Sequence, residues 1–161
     1  MRLVSAEERA LAPVWWYAFS CMAIQVAAVM LIAVLVFLSV LHVFWALGGR
    51  WGLAAAIPVV DGRPWLAPGP LGTLAVAGLL LLAAGLIAGR RFLQGSPWAL
   101  VFSVGSWGVV AAFLLRAVGD LRVVGFFKQV RGTRFAELDS RLFAPLCVAI
   151  AGLALAVVLG P

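Results

Sequence analysis

Four long apolar runs, parted by short breaks rich in glycine, proline and charge, set the pattern of this chain. They cover about residues 19–47, 71–88, 97–118 and 142–159. Each is continuous, without the polar/apolar alternation of a membrane barrel strand. Crossing roughly 30 Å of hydrocarbon takes about 20 helical residues. The pattern therefore predicts an all-α polytopic membrane protein, one four-helix transmembrane domain over residues 1–161.

The breaks refine that picture. Residues 1–13 form a short polar head closed by Pro13, and Trp15, Trp16 and Tyr17 make an aromatic anchor at the lipid–water boundary. Glu7 and Glu8 precede a long first run with no small-x-small cleavage site, so it reads as a retained span. That span carries only Gln25, Ser39 and His42 as clearly polar positions, and Gly48-Gly49 ends it. Residues 51–57 are apolar but too short to cross, which predicts a short interfacial or re-entrant helix in the 1–2 loop. Pro58, the Asp61-Gly62-Arg63-Pro64 turn, Pro68 and Pro70 leave the rest irregular. Gly85 and Gly89 form a GxxxG in the second span, Arg90 and Arg91 close it, and Gly95-Ser96-Pro97 turns into the third. Asp139 or Ser140 is the expected N-cap of the last helix, with Pro145 in its first turns or at a kink.

Composition agrees with a lipid exterior. Of the 161 residues 65% are hydrophobic and 11% charged, with a mean hydropathy of +1.14, too few charges to coat a water-soluble domain. Cys21 and Cys147 fall at depths about 20 Å apart by helical rise, too far for a disulfide, and read as apolar core positions. The net charge of +6 and pI near 11.1 do not indicate a nucleic-acid partner, because the basic residues lie between spans.

Charge is concentrated between Arg116 and Arg141, which hold nine of the eighteen charged residues. With four spans, the 1–2 and 3–4 loops share one side of the membrane. That side has eight Lys and Arg against four on the side of the termini and the 2–3 turn. The positive-inside bias then places both loops in the cytoplasm and both termini outside. Arg122, Lys128, Arg131 and Arg134, interleaved with Phe126, Phe127 and Phe135, form a basic amphipathic segment suited to anionic lipid headgroups.

Connectivity also puts His42, Trp45, Arg50, Trp51, Arg116 and Asp120 on that loop side, as candidates for one vestibule. His42, the sole histidine, is inter-helix glue, a proton-transfer group, or a haem ligand that would need a second chain. No metal site and no cofactor are predicted. Arg116 and Asp120, four apart, share a face if the helix continues, and can pair as a latch or as part of a site. Glu137 and Arg141 have the same spacing and read as solvated surface. There is no C-x-x-C, H-E-x-x-H, G-x-S-x-G or phosphate-loop motif, nor paired carboxylates inside a span.

Two blocks carry a resemblance. L-H-V-F-W-A-L-G-G-R-W-G-L-A-A-A-I-P (residues 41–58) and L-R-A-V-G-D-L-R-V-V-G-F-F-K-Q-V-R-G-T-R-F-A-E-L-D-S-R-L-F-A-P-L-C (residues 115–147) resemble a bacterial family of small four-span membrane proteins, a domain of unknown function. The likeness runs from about Val36 onward. It implies a four-helix membrane protein and transfers no activity, cofactor or catalytic residue. The functional expectation is an accessory, non-enzymatic protein of the bacterial cytoplasmic membrane, its basic face on anionic lipid or a partner subunit, or in a homo-oligomer. The alternatives are a small enzyme or binder for a lipid or isoprenoid-like substrate using His42 with Arg116 and Asp120, and an oligomeric transporter or channel.

Overall fold

The computed structural model describes residues 14–60, 63–64 and 69–160, and for residues 14, 15, 59, 60, 63 and 64 the backbone alone. The expected polar head, Trp15 as an anchor side chain, and most of the Asp61–Pro68 stretch lie outside this description. The order is α1 (Val14–Ala46), α2 (Leu53–Ala56), β1 (Val59–Val60), β2 (Arg63–Pro64), α3 (Pro70–Phe92), α4 (Ala99–Val118), α5 (Arg134–Leu138), a π-helical turn (Asp139–Phe143) and α6 (Ala144–Leu159). The two strands form a minimal antiparallel ladder, Val59 opposite Pro64 and Val60 opposite Arg63. Four helices are long and apolar enough to cross a membrane, the last running continuously from Arg134 to Leu159.

α1 packs against α3 and α6, and α4 packs against those same two helices. α1 and α4 therefore stand at opposite corners of a four-helix bundle. Ala28, Leu31 and Leu35 of α1, Ala84 and Ile87 of α3, Val109 and Val110 of α4, and Ile150, Ala154 and Val157 of α6 form the core at helical spacing. Outward positions are just as apolar: Phe37, Leu79, Val104 and Leu115 are all largely exposed. A bundle apolar inside and out has lipid as its solvent, and it is held by close packing with a few inter-helix hydrogen bonds. Ser39 Oγ supplies one, donating to the Ala77 carbonyl at 2.8 Å.

Several boundaries differ from the sequence expectation. α1 starts five residues before the apolar run at 19, and its 33 residues at about 1.5 Å each are longer than a roughly 30 Å hydrocarbon core. The last helix starts at Arg134, not at residue 142. Thr133 is its N-cap, Oγ1 accepting from the Ala136 amide at 3.1 Å, so Asp139 and Ser140 lie inside the helix. Pro145 has no N–H to give the Arg141 carbonyl. Just before it the ladder widens, the Ala144 amide bonding the Asp139 carbonyl five residues back.

Small and polar residues of the spans also find specific uses. Gly89 lies against the Phe102 ring, where a Cβ would collide, so half of the GxxxG serves contact within the chain. Cys21 is exposed, with Sγ 3.1 Å from Arg91 Nη2, whereas Cys147 is buried; both are free thiols. Arg90 Nη2 donates to the Val158 carbonyl at 3.0 Å and holds the end of α6.

Candidate functional site

Between α4 and α5 the chain folds into a compact loop, and two glycines allow it. Gly119 and Gly125 have φ of 85° and 88°. A side chain on either would strike the backbone of the other's neighbour, Val124 for Gly119 and Val118 for Gly125. This close crossing ends α4 at Val118, so the chain turns away before Asp120 could lie one helical turn beyond Arg116. Asp120 Oδ1 instead accepts from the amides of Arg122, Val123 and Val124 at 3.0, 2.7 and 2.8 Å. Desolvation raises its pKa, but the amide hydrogen bonds outweigh that and hold the carboxyl below the ordinary aspartate value. The Arg116–Asp120 pair allowed by spacing does not form.

Arg116 reaches Asp139 instead. Arg116 Nη2 lies 3.1 Å from Asp139 Oδ1, and Lys128 Nζ lies 3.1 Å from Oδ2. The Gly125 amide also donates to Oδ2, at 2.7 Å. Lys128 fills its other two donors with the Gly125 carbonyl at 2.9 Å and Ser140 Oγ at 2.7 Å. Asp139 is completely buried and Lys128 is 3% exposed. Lys128 is the chain's sole lysine, beside eleven arginines. A compact ammonium fits three acceptors on one side, where a planar guanidinium would not. Lys128, one of the expected headgroup contacts, is thus buried and engaged by three internal acceptors, and it lies on the wall of the cavity beside the basic cluster.

Arg116 is less complete. Its side chain is 38% exposed, and Nη1 is covered by protein without a hydrogen-bond partner. A buried donor left unsatisfied costs about 1–3 kcal/mol. Arg116 also closes one end of an apolar groove of about 420 Å³ between α3 and α4.

The other candidates lie elsewhere. His42 Nδ1 donates to the Leu38 carbonyl of its own helix at 2.7 Å, and its ring meets Trp45 edge-on at 5.1 Å. His42 is on α1 and Arg116 on α4, the diagonal pair, and His42 is not among the residues lining the Arg116 groove. A vestibule shared by both is not formed by that groove. Trp45 Nε1 donates to the Trp51 carbonyl at 2.8 Å and fastens the Gly-Gly turn, while Trp51 and Arg50 are exposed. The short helix α2 packs on α5, joining the two loops on one face of the bundle.

Arg122, Arg131, Arg134 and Arg141 are all exposed on that face. Among the described residues the only ion pairs are the two of Asp139, so none of these four is paired, and Glu137 does not reach Arg141. The expected amphipathic segment is not a helix before Arg134, and Phe135 is buried rather than interfacial. A polar cavity of about 330 Å³ opens beside the cluster, with Arg131, Ser140 and Arg141 on its walls. No group of three or more potential metal-ligating side chains occurs among the described residues.

The central residue, Asp139, is one that sequence reasoning placed only as a helix cap. Its partners are 23 and 11 positions away, so spacing carries no sign of them. The lone lysine and the glycines six apart are the only local hints. Searches of curated proteins and of solved structures give no match. A family model described as a protein of unknown function (DUF3995) matches residues 35–154.

Proposed function

We propose, for a chain that belongs to the DUF3995 family of proteins of unknown function, an accessory and non-enzymatic role in the bacterial cytoplasmic membrane: its basic loop face binds anionic lipid. That the protein is a multi-pass membrane protein follows from its four membrane-compatible helices. The observation that carries the finer reading is the division of charge in the loop. Its buried carboxylate Asp139 is engaged by Arg116 and Lys128, and Asp120 by backbone amides. Arg122, Arg131, Arg134 and Arg141 are left exposed and unpaired. The internal ion cluster ties the loop to the last helix, and the four arginines are its presented surface. Each cation near an anionic leaflet contributes roughly 1 kcal/mol before screening, so four of them give a marked preference for anionic bilayers. This orientation puts both loops in the cytoplasm, as positive-inside topology favours.

The test is lipid selectivity of the purified full chain reconstituted with phosphatidylglycerol and phosphatidylcholine. The R122Q/R131Q/R134Q/R141Q variant should lose at least tenfold of the preference for phosphatidylglycerol. No preference in the wild type, or the same preference in the variant, refutes the proposal.

A further inference from the structure

We propose that the groove between α3 and α4 holds one anionic phospholipid, with its phosphate at Arg116 and one acyl chain along the helices. Buried Ala83 and Val109 form the floor, and exposed Leu79 and Leu82 stand at the rim. The groove is open at Gly108, where an added Cβ would meet nothing within 4 Å. At its far end Leu86 is seated on Gly105, where a Cβ would fall 2.6 Å from the leucine Cδ2, and parts the groove from a second apolar hollow lined by Leu100, Val101 and Val104. From Gly105 to Arg116 the helical rise is about 17 Å, close to half of a roughly 30 Å hydrocarbon core. The groove is therefore as deep as a single leaflet, and it begins on the loop side, where a phosphate would lie.

Charge selects the headgroup. Arg116 is the sole charged residue on the groove. Its cluster sets two cations against one carboxylate, and Nη1 lacks a partner. A phosphodiester oxygen at the mouth offsets the surplus positive charge, and it supplies that acceptor once the guanidinium turns Nη1 out of its covered position. A zwitterionic lipid would bring a second ammonium to a site already in positive excess. The site shares only its ligand class with the loop-face reading; none of its residues belongs to the four-arginine surface.

The test is native mass spectrometry of the full chain in detergent, titrated with dioleoyl phosphatidylglycerol and dioleoyl phosphatidylcholine. The wild type should retain one equivalent of phosphatidylglycerol with at least tenfold preference. G108L fills the groove at its open point and should lower that retention at least tenfold. A112L, at an exposed groove position, carries the same test if G108L fails to fold. R122Q/R131Q/R134Q/R141Q should keep the single equivalent even where it loses bilayer selectivity. Unchanged retention in a folded groove variant, or equal retention of phosphatidylcholine, overturns the proposal. So does loss confined to the loop variant, which would assign the lipid to the loop face and leave that reading intact. Displacement by oleate at lower concentration than by phosphatidylglycerol would assign the groove to free fatty acid and overturn it too.

Discussion

Replacing Asp139 with Asn tests the central feature of this protein with almost no change in volume. The side chain is fully buried and faces Arg116, Lys128 and the Gly125 amide. The two ion pairs do not weigh equally. Arg116 is 38% exposed, so losing its partner costs about 0.2–1 kcal/mol, as at a surface pair. Lys128 is 3% exposed and would keep its ammonium buried with only the Gly125 carbonyl and the Ser140 hydroxyl. Breaking a buried pair on one side costs about 3–5 kcal/mol, and that term dominates. Against a total stability of about 5–15 kcal/mol, the variant should be severely weakened. Removing both charges is different. D139N/K128M leaves only the partly exposed Arg116 as a charge in the cluster, and exchanging a buried pair for apolar packing is often near neutral. The double variant should therefore recover most of the loss, with a coupling of about 2 kcal/mol or more. Reversible unfolding in mixed micelles, followed by tryptophan fluorescence, measures all corners of the cycle. A cost below about 1 kcal/mol for D139N, or strictly additive single effects, would refute the account of a buried, mutually dependent ion cluster.

Other consequences are independent of that cycle. K128R keeps the charge but not the three-acceptor fit, and should cost about 1–3 kcal/mol in the same assay; a neutral K128R would show that donor geometry is unimportant there. Asp120 has a depressed carboxyl pKa in the fold, so its contribution is complete above the unfolded-state value and is lost as pH falls through the lower folded value. D120N keeps an accepting oxygen but loses the charge that strengthens the three amide hydrogen bonds, so it should cost about 1 kcal/mol at neutral pH, and the gap to wild type should close at strongly acidic pH; a gap independent of pH would contradict this. G119A forces a Cβ against the Val124 carbonyl at φ 85°, and should destabilise by more than about 1 kcal/mol, whereas G132A, with open space around it, should cost less. In a cysteine-free background, a single cysteine at residue 132 should be labelled only from the cytoplasm; labelling from outside reverses the proposed orientation.

The four spans were legible in the chain because transfer into lipid depends on each segment's own composition and length. The loop face was legible for a different reason: chain connectivity through four spans puts two loops on one side. The family membership implied by the blocks at residues 41–58 and 115–147 is shown by the match over residues 35–154. Partner choice was not legible. Arg116 and Asp120 sit at helical spacing, yet Gly119 ends the helix between them, and hydrogen bonding to three amides captures the aspartate. Asp139 meets its cations only because the last helix begins at Arg134, widens at the π-helical turn before Pro145, and packs beside α4. His42 shares the loop side with Arg116, but helix order places the two on diagonal corners. Segment hydrophobicity is a local sum that a sequence states outright. Which buried charge meets which depends on helix ends, rotation and neighbour order, and those are decided when the whole bundle packs.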